Sequence, residues 1–156
     1  MTGLPTDLSK EANRLLDLGR TDDLAALVRD ALKSGSAESI FLSSCYGSTG
    51  ESEEDFNARS LSQSMLAAEM GYAPAQFRLG QYFLFGDFVE MDAGRAEQYF
   101  KSAAESGYPP AMYEYGLALR NGVPAGESCA EAMSWIARAA EAGDELAAEY
   151  MAGMDD

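Results

Sequence analysis

The stretch AAESGY at residues 103–108 is one of three nearly identical hexapeptides, the others being AAEMGY at residues 67–72 and AAEAGD at residues 139–144. Successive copies start 36 residues apart. The same offset aligns two columns of glycine, one at Gly35, Gly71, Gly107 and Gly143 and another at Gly50, Gly86 and Gly122. Self-similarity at one fixed period predicts a repeat architecture in which neighbouring units stack to bury a shared core.

Each 36-residue period predicts two helices. Proline in the first turn and glycine just after the last turn are typical of helix ends, and Asp or Ser is typical of the N-cap. These signals place the first helix from Pro74 or Pro109 to Gly86 or Gly122, and the second from Asp92 or Ser128 to Gly107 or Gly143. In the second helix, apolar residues at spacings of three and four form a single stripe: Ala96, Tyr99, Phe100, Ala103 and Ala104. The paired alanines predict close helix contact, and the glycine predicts the reversal into the next unit.

At these columns the chain resembles the Sel-one-like repeat (Sel1-like) family, which consists of α/α solenoids related to tetratricopeptide arrays. The family pattern is met by Ala75, Leu79, Gly80, Tyr82, Phe83, Gly86, Ala96, Tyr99, Ala103, Ala104 and Gly107, and again by Ala111, Tyr115, Gly116, Leu119, Gly122, Val123, Ala132, Trp135, Ala139, Ala140 and Gly143. The resemblance implies an all-α fold, a right-handed α/α solenoid of helix-turn-helix repeats with a period of 36.

We therefore expect residues 1–156 to form a single solenoid domain. Residues 72–107 and 108–143 are the two clear repeats, and residues 36–71 are a divergent one, in which Ser39, Ser43 and Ser44 replace the alanine and the Leu-Gly pair. Residues 1–35 are expected to form an N-terminal helical cap, and residues 144–156 a C-terminal capping helix that ends in acidic Asp155 and Asp156.

Composition restricts the classes of partner. The chain has 26 acidic and 11 basic side chains, and residues 51–156 hold 19 acids and 6 bases, a net charge of −13. Such a surface disfavours nucleic acid and anionic membranes, and it permits a basic protein partner. No apolar run is long enough to span a membrane and no signal peptide is visible, so we expect a cytoplasmic protein with Cys45 and Cys129 as free thiols.

The residues needed for common catalytic sites are missing. The chain contains no histidine, which removes Ser-His and Cys-His pairs, an imidazole base and histidine metal ligands. The acidic run ESEED at residues 51–55 lacks the alternating ligands and central glycine of an EF-hand loop. We expect no enzyme activity, no cofactor and no metal.

Recognition is expected on the concave face, which the first helices line in helical solenoids. Positions of these helices outside the family columns are predicted to bind a partner: Leu42, Arg78, Gln81, Phe85, Glu114, Leu117, Asn121 and Tyr150, with Cys45 and Met154 on the same helices. Exposed apolar residues among them, such as Phe85, suggest an interface. Alternatively, Phe85 packs beneath the following loop with Phe88.

Two functions are compatible with these features. The first is a non-enzymatic protein-binding module that uses the concave face and an acidic surface, for example an immunity or regulatory protein for a basic partner. The second is a structural scaffold or adaptor that bridges two proteins in a signalling or envelope assembly. The sequence leaves the partner's identity and the oligomeric state open.

Overall fold

The computed structural model describes residues 7–47, 50–122 and 129–154, and within these ranges it contains nine α-helices and no β-strand. The helices are α1 (Asp7–Asp17), α2 (Thr21–Leu32), α3 (Ala37–Cys45), α4 (Glu53–Glu69), α5 (Ala73–Phe85), α6 (Ala93–Glu105), α7 (Pro109–Arg120), α8 (Cys129–Glu141) and α9 (Glu145–Ala152). The all-α prediction is confirmed. The predicted N-cap Ser128, the pattern residue Val123 and the acidic end at Asp155 and Asp156 lie outside the described residues.

The repeated hexapeptide is a helix-termination signal. In AAESGY, the Gly107 N–H donates to the Ala104 carbonyl at 2.9 Å and the Tyr108 N–H donates to the Ala103 carbonyl at 3.1 Å. These two bonds define a Schellman motif, which requires a left-handed residue where Gly107 has a φ of 86°. The same pair of bonds closes α4 at residues 71–72 and α8 at residues 143–144. The hexapeptide therefore recurs three times because three helices, α4, α6 and α8, end in the same Schellman motif.

The predicted helix starts are also present. The Asp92 side chain accepts a hydrogen bond from the Arg95 backbone N–H at 3.0 Å and so caps α6. Pro109 is the first residue of α7, where its missing N–H costs nothing. Helix α5 begins at Ala73, one residue before Pro74.

The described residues divide into two compact units, one that ends at Ala75 and one that begins at Gln76. In the first unit, α1, α2 and α3 share a core of Ala12, Leu15, Leu24 and Leu42, with Leu8, Leu27, Val28 and Tyr46 packed against it. Helices α3 and α4 lie in the segment predicted as a divergent repeat. That assignment, like the other repeat boundaries and the single-domain organisation, stays a prediction.

Serine side chains form the contact between α3 and α4. The Ser60 hydroxyl donates to the Ser44 carbonyl at 2.8 Å, and the Ser64 hydroxyl donates to the Ser44 hydroxyl at 3.2 Å. All three side chains are buried. Hydrogen bonds thus satisfy polar groups at positions where the next repeat has Gly80, Ala96 and Phe100, so the helices still pack closely.

In the second unit, glycine allows α6 and α8 to approach the first helices. A Cβ atom on Gly80 would lie 2.5 Å from Phe100 Cε1, and one on Gly116 would lie 2.7 Å from Ile136 Cγ1 and 2.9 Å from the Ala132 carbonyl oxygen. All three distances are far inside ordinary van der Waals contact. The Leu-Gly or Tyr-Gly pair of each repeat therefore fixes the spacing between its two helices.

Candidate functional site

The predicted binding residues of α7 line a pocket in the second unit. Glu114, Leu117 and Asn121 are spaced three and four residues apart and so lie on one face of the helix. They border a cavity of about 180 Å³, which we call the α5–α7 pocket. Its other lining residues are Leu84 of α5, Ala93, Ala96, Glu97 and Phe100 of α6, and Ala118 of α7.

The predicted residues of α5 do not line this pocket. Arg78 and Gln81 are half-buried, whereas Phe85 is 64% exposed. The alternative in which Phe85 packs beneath the following loop is therefore wrong for this side chain. Tyr82 takes that contact instead, with its ring centroid 5.0 Å from that of Phe88.

Negative charge collects beside the pocket, at the N-terminal end of α9. Burial raises the pKa of the Glu114 carboxyl, and the carboxylate of Asp144 raises it further. Asp144 is itself fixed, because its side chain caps α9 by accepting a hydrogen bond from the Ala147 N–H at 2.8 Å. Among the described residues Glu114 forms no ion pair.

Two tyrosines, Tyr108 and Tyr113, have pKa values that are raised by burial and changed by these charged groups. Burial is the largest cause that raises the pKa of Tyr108; Arg78 opposes the rise and Asp144 adds to it. The pKa of Tyr113 is likewise raised, first by burial and then by the surrounding carboxylates, beginning with that of Glu114. Arg78 and Asp144 therefore shift the pKa of the same side chain, Tyr108, at the N-terminal end of α7.

Tyr150 of α9 is held by an arginine of α7. The Arg120 guanidinium donates to the Tyr150 hydroxyl and lies 5.3 Å from the centre of its ring. The rings of Tyr113 and Tyr150 meet edge to face at 6.1 Å. Met154, on the chain just after α9, is 58% exposed.

Leu42 does not present a binding surface. Its side chain is only 4% exposed and packs against Ala12, Leu15 and Leu24. The prediction placed it on the surface because it lies 36 residues before Arg78, but α1 and α2 cover this position in the first unit. Cys45, on the same helix, is half-buried, and its thiol donates to the Phe41 carbonyl at 3.2 Å.

Sequence reasoning missed Glu97 and Leu84. Glu97 is only 8% exposed and lines the α5–α7 pocket beside the apolar stripe of α6. One signal was available, because the position 36 residues later is Met133 and an acid therefore replaces an apolar residue of the next repeat.

The first unit has a larger cavity of its own, of about 500 Å³. Its walls are mostly apolar, and its lining residues are Leu16, Thr21, Leu24, Ala25, Val28, Arg29, Leu32, Ser43, Tyr46, Gly47, Arg59 and Gln63. The Arg59 guanidinium closes one part of it by donating to Glu51 at 2.7 Å and 2.8 Å and to the Ser43 and Tyr46 carbonyls at 2.5 Å and 3.0 Å. No pattern in the sequence predicts this cavity.

In the part of the chain that the structure describes, no group of three or more His, Cys, Asp or Glu side chains could hold a metal ion. No helix within those residues is both long and apolar enough to cross a membrane. The absence of a metal or cofactor stays a prediction.

Comparison with known proteins identifies the repeat. The Sel1 repeat matches residues 73–108 and 109–144, one residue later than the boundaries predicted from the glycine columns. A Sel1 repeat protein from Oxalobacter formigenes has a similar crystal structure, with a TM-score of 0.69 and 23% identity over 80% of this chain and 51% of that one. No curated protein matches the sequence.

A second solved structure is c5321, a protective antigen present in uropathogenic Escherichia coli strains that displays an SLR fold. The TM-score is 0.64 at 28% identity, over 74% of this chain and 25% of that one. The chain thus spans about half the length of the first structure and a quarter of the second. These similarities confirm the predicted α/α solenoid class, a fold that generally serves protein interaction without catalysis. Residues 73–144 match two Sel1 repeats, and over these residues the chain is similar to the Sel1-like repeat family.

Proposed function

We propose that this chain is a non-enzymatic protein-binding module and that the first-helix face of residues 76–154 binds a basic protein. This face comprises the predicted residues Arg78, Gln81 and Phe85 of α5, Glu114, Leu117 and Asn121 of α7, and Tyr150 of α9. The observation that carries the proposal is the position of Glu114, whose pKa is raised by burial and secondarily by the Asp144 carboxylate, while no cation among the described residues forms an ion pair with it. A positive group of a partner would relieve that repulsion.

The charge of the second unit supports a basic partner. Residues 76–156 hold 14 acidic and 5 basic side chains, a net charge of −9. Several of these bases lie over aromatic rings: Arg95 over Phe83, Lys101 over Tyr115, Arg120 over Tyr150 and Arg138 over Trp135. Complementary charge of this kind accelerates encounter with a basic protein and repels phosphate backbones. An immunity or regulatory role fits such a partner, with neither nucleic acid nor membrane involved.

Apolar contact would supply much of the affinity. Phe85 is 64% exposed at the end of α5, and Phe88 and Met91 are 50% and 68% exposed on the loop that follows. Buried aromatic side chains commonly dominate the binding energy of interfaces. We also place the protein in the cytoplasm, because free thiols such as the exposed Cys129 are typical of a reducing compartment.

Affinity capture with mass spectrometry tests this proposal. We compare the wild-type chain with two double variants that share Phe85→Ala. The test variant adds Glu114→Lys, and the charge-matched control adds Glu105→Lys on the exposed side of α6. The wild type is expected to capture a basic protein. The Glu114→Lys variant should lose this protein, whereas the Glu105→Lys control should capture it at a lower yield. Retention by all three chains, or a predominantly acidic partner, would contradict the proposal.

A scaffold or adaptor is the second candidate, because each compact unit has a cavity of its own. The cavity of the first unit is about 500 Å³ and that of the second is about 180 Å³. A bridging protein needs two separable surfaces, so Leu32→Glu at the first cavity and Glu114→Lys at the second should each remove a different partner. Loss of one and the same partner with both variants would exclude bridging.

A further inference from the structure

The α5–α7 pocket has the size and walls of a site for one long side chain. Its volume of about 180 Å³ corresponds to about six times the share of one water molecule in the liquid. Leu84, Phe100 and Leu117 supply apolar walls, and three alanines complete them. Such a space is too small for a helix or strand, but it accommodates an extended aliphatic chain.

Three polar side chains of the lining all offer oxygen acceptors. Glu97 of α6 is 8% exposed, Glu114 of α7 is half-buried, and the amide of Asn121 lies on the exposed side. The lining contains no lysine and no arginine. Carboxylates beside apolar walls are poorly solvated, so a cation that enters between them is favoured over a neutral group.

The arrangement of these acceptors favours an ammonium group. They come from two helices, whereas an arginine fork is best matched by the two oxygens of one carboxylate. A lysine carries a compact charge with three donors on a flexible four-carbon stem. An apolar side chain would fill the walls but leave the Glu114 carboxylate desolvated, and a metal ion would leave the apolar walls unused.

We propose that the α5–α7 pocket receives one lysine side chain of the protein partner, with the stem between Leu84, Phe100 and Leu117 and the ammonium group between Glu97, Glu114 and Asn121. This inference rests on the proposed function and specifies the chemistry of the partner at the same face.

A peptide titration followed by NMR tests the pocket without the natural partner. The probe is acetyl-Gly-Gly-Lys-Gly-Gly-amide, added to the ¹⁵N-labelled full chain while backbone amide shifts are recorded. We expect saturable shifts centred on residues 84, 97, 114, 117 and 121, with a Kd on the order of millimolar. Peptides with norleucine or arginine in place of lysine are expected to bind at least about fivefold more weakly.

Matched variants assign the effect to the pocket. Glu114→Gln keeps the shape of the side chain and should weaken lysine-peptide binding about tenfold, whereas Glu105→Gln on the exposed side of α6 should leave it unchanged. The amide spectrum of each variant also reports whether it is folded. Equal binding of the arginine or norleucine peptide, shifts spread over the acidic surface, or no shift would each overturn the lysine assignment.

The two proposals can fail separately. Binding of the lysine peptide in the pocket, together with capture of no basic protein, would keep the pocket and overturn the proposed function. Capture of a basic protein that depends on Glu114, together with no response to the lysine peptide, would overturn the lysine pocket alone.

Discussion

Phe88, in the loop between α5 and α6, has a backbone conformation that large side chains rarely adopt. Its φ is 62°, in the left-handed region, and its ring packs on Tyr82 while half of it stays exposed. An L-residue pays roughly 1–2 kcal/mol for this conformation, which glycine adopts freely. Phe88→Gly and Phe88→Ala both lose the ring contact, but only the alanine variant keeps the strain.

We therefore expect Phe88→Gly to be more stable than Phe88→Ala by about 1 kcal/mol. Urea unfolding followed by circular dichroism measures the difference. The control is the same pair at Phe85, the last residue of α5, where glycine should be less stable than alanine by roughly 0.5–1 kcal/mol. An alanine variant at position 88 that matches the glycine variant would show that the left-handed conformation carries no strain.

Glu114 makes stability depend on pH in a predictable direction. Burial, and secondarily Asp144, raises its pKa above the usual 4.5, so the folded state binds the proton more tightly than the unfolded state. The contribution of Glu114 is therefore most favourable below pH 4.5 and is lost as the pH rises through the raised value. Glu114→Gln, which cannot ionise, should be more stable than the wild type at pH 7.

This advantage of Glu114→Gln should vanish at pH 4, where the wild-type carboxyl is largely protonated. Urea midpoints at the two pH values measure it, and Glu105→Gln, at an exposed position of α6, serves as the control. A Gln variant that is equally or less stable at pH 7 would contradict a desolvated, repelled carboxylate at this position.

At the scale of helices, glycine sets how closely each pair packs. Alanine in place of glycine normally stabilises a helix interior by about 1 kcal/mol. At Gly116, however, the added Cβ would lie 2.9 Å from the Ala132 carbonyl oxygen, a backbone atom that cannot rotate away. We expect Gly116→Ala to destabilise the fold by roughly 1–3 kcal/mol through overpacking.

Gly94 supplies the control for this substitution. It lies in the first turn of α6 and is exposed, and the nearest atom to its added Cβ is the Asp92 side-chain oxygen at 3.4 Å. Gly94→Ala should be neutral or stabilising by up to about 1 kcal/mol. Equal urea midpoints for the two variants would show that α7 and α8 can separate without cost.

Helix positions could be predicted from the sequence because their determinants are local. The Schellman motifs at residues 71, 107 and 143 and the cap at Asp92 depend on residues within one turn. Exposure could not be predicted in the same way, because it depends on which element covers a position. Leu42 and Arg78 occupy the same place in the repeat, yet Leu42 is buried beneath α1 and α2 and Arg78 is half-buried.

The candidate site was predicted in part for the same reason. Glu114, Leu117 and Asn121 follow from the spacing of α7 alone, and the structure brings them together at one pocket. Glu97 belongs to a second helix and lies outside the predicted apolar stripe, and only the packing of α6 against α7 places its carboxylate there. The cavity beside Arg59 likewise depends on contacts between distant segments.

For the whole chain, a net charge of −15 should make folding sensitive to ionic strength. Like charges repel more in the compact state than in the unfolded chain, and raising the salt from 0.01 M to 0.1 M shortens the screening length from about 30 Å to about 10 Å. We expect the free energy of unfolding to rise by about 1 kcal/mol over this range in urea titrations. The variant Glu90→Gln, Glu105→Gln, Glu141→Gln removes three exposed acids and should respond less to salt. A free energy of unfolding that falls with added salt would instead mean that favourable ion pairs outweigh the repulsion. The acidic charge would then be balanced within the chain and would not attract a basic partner.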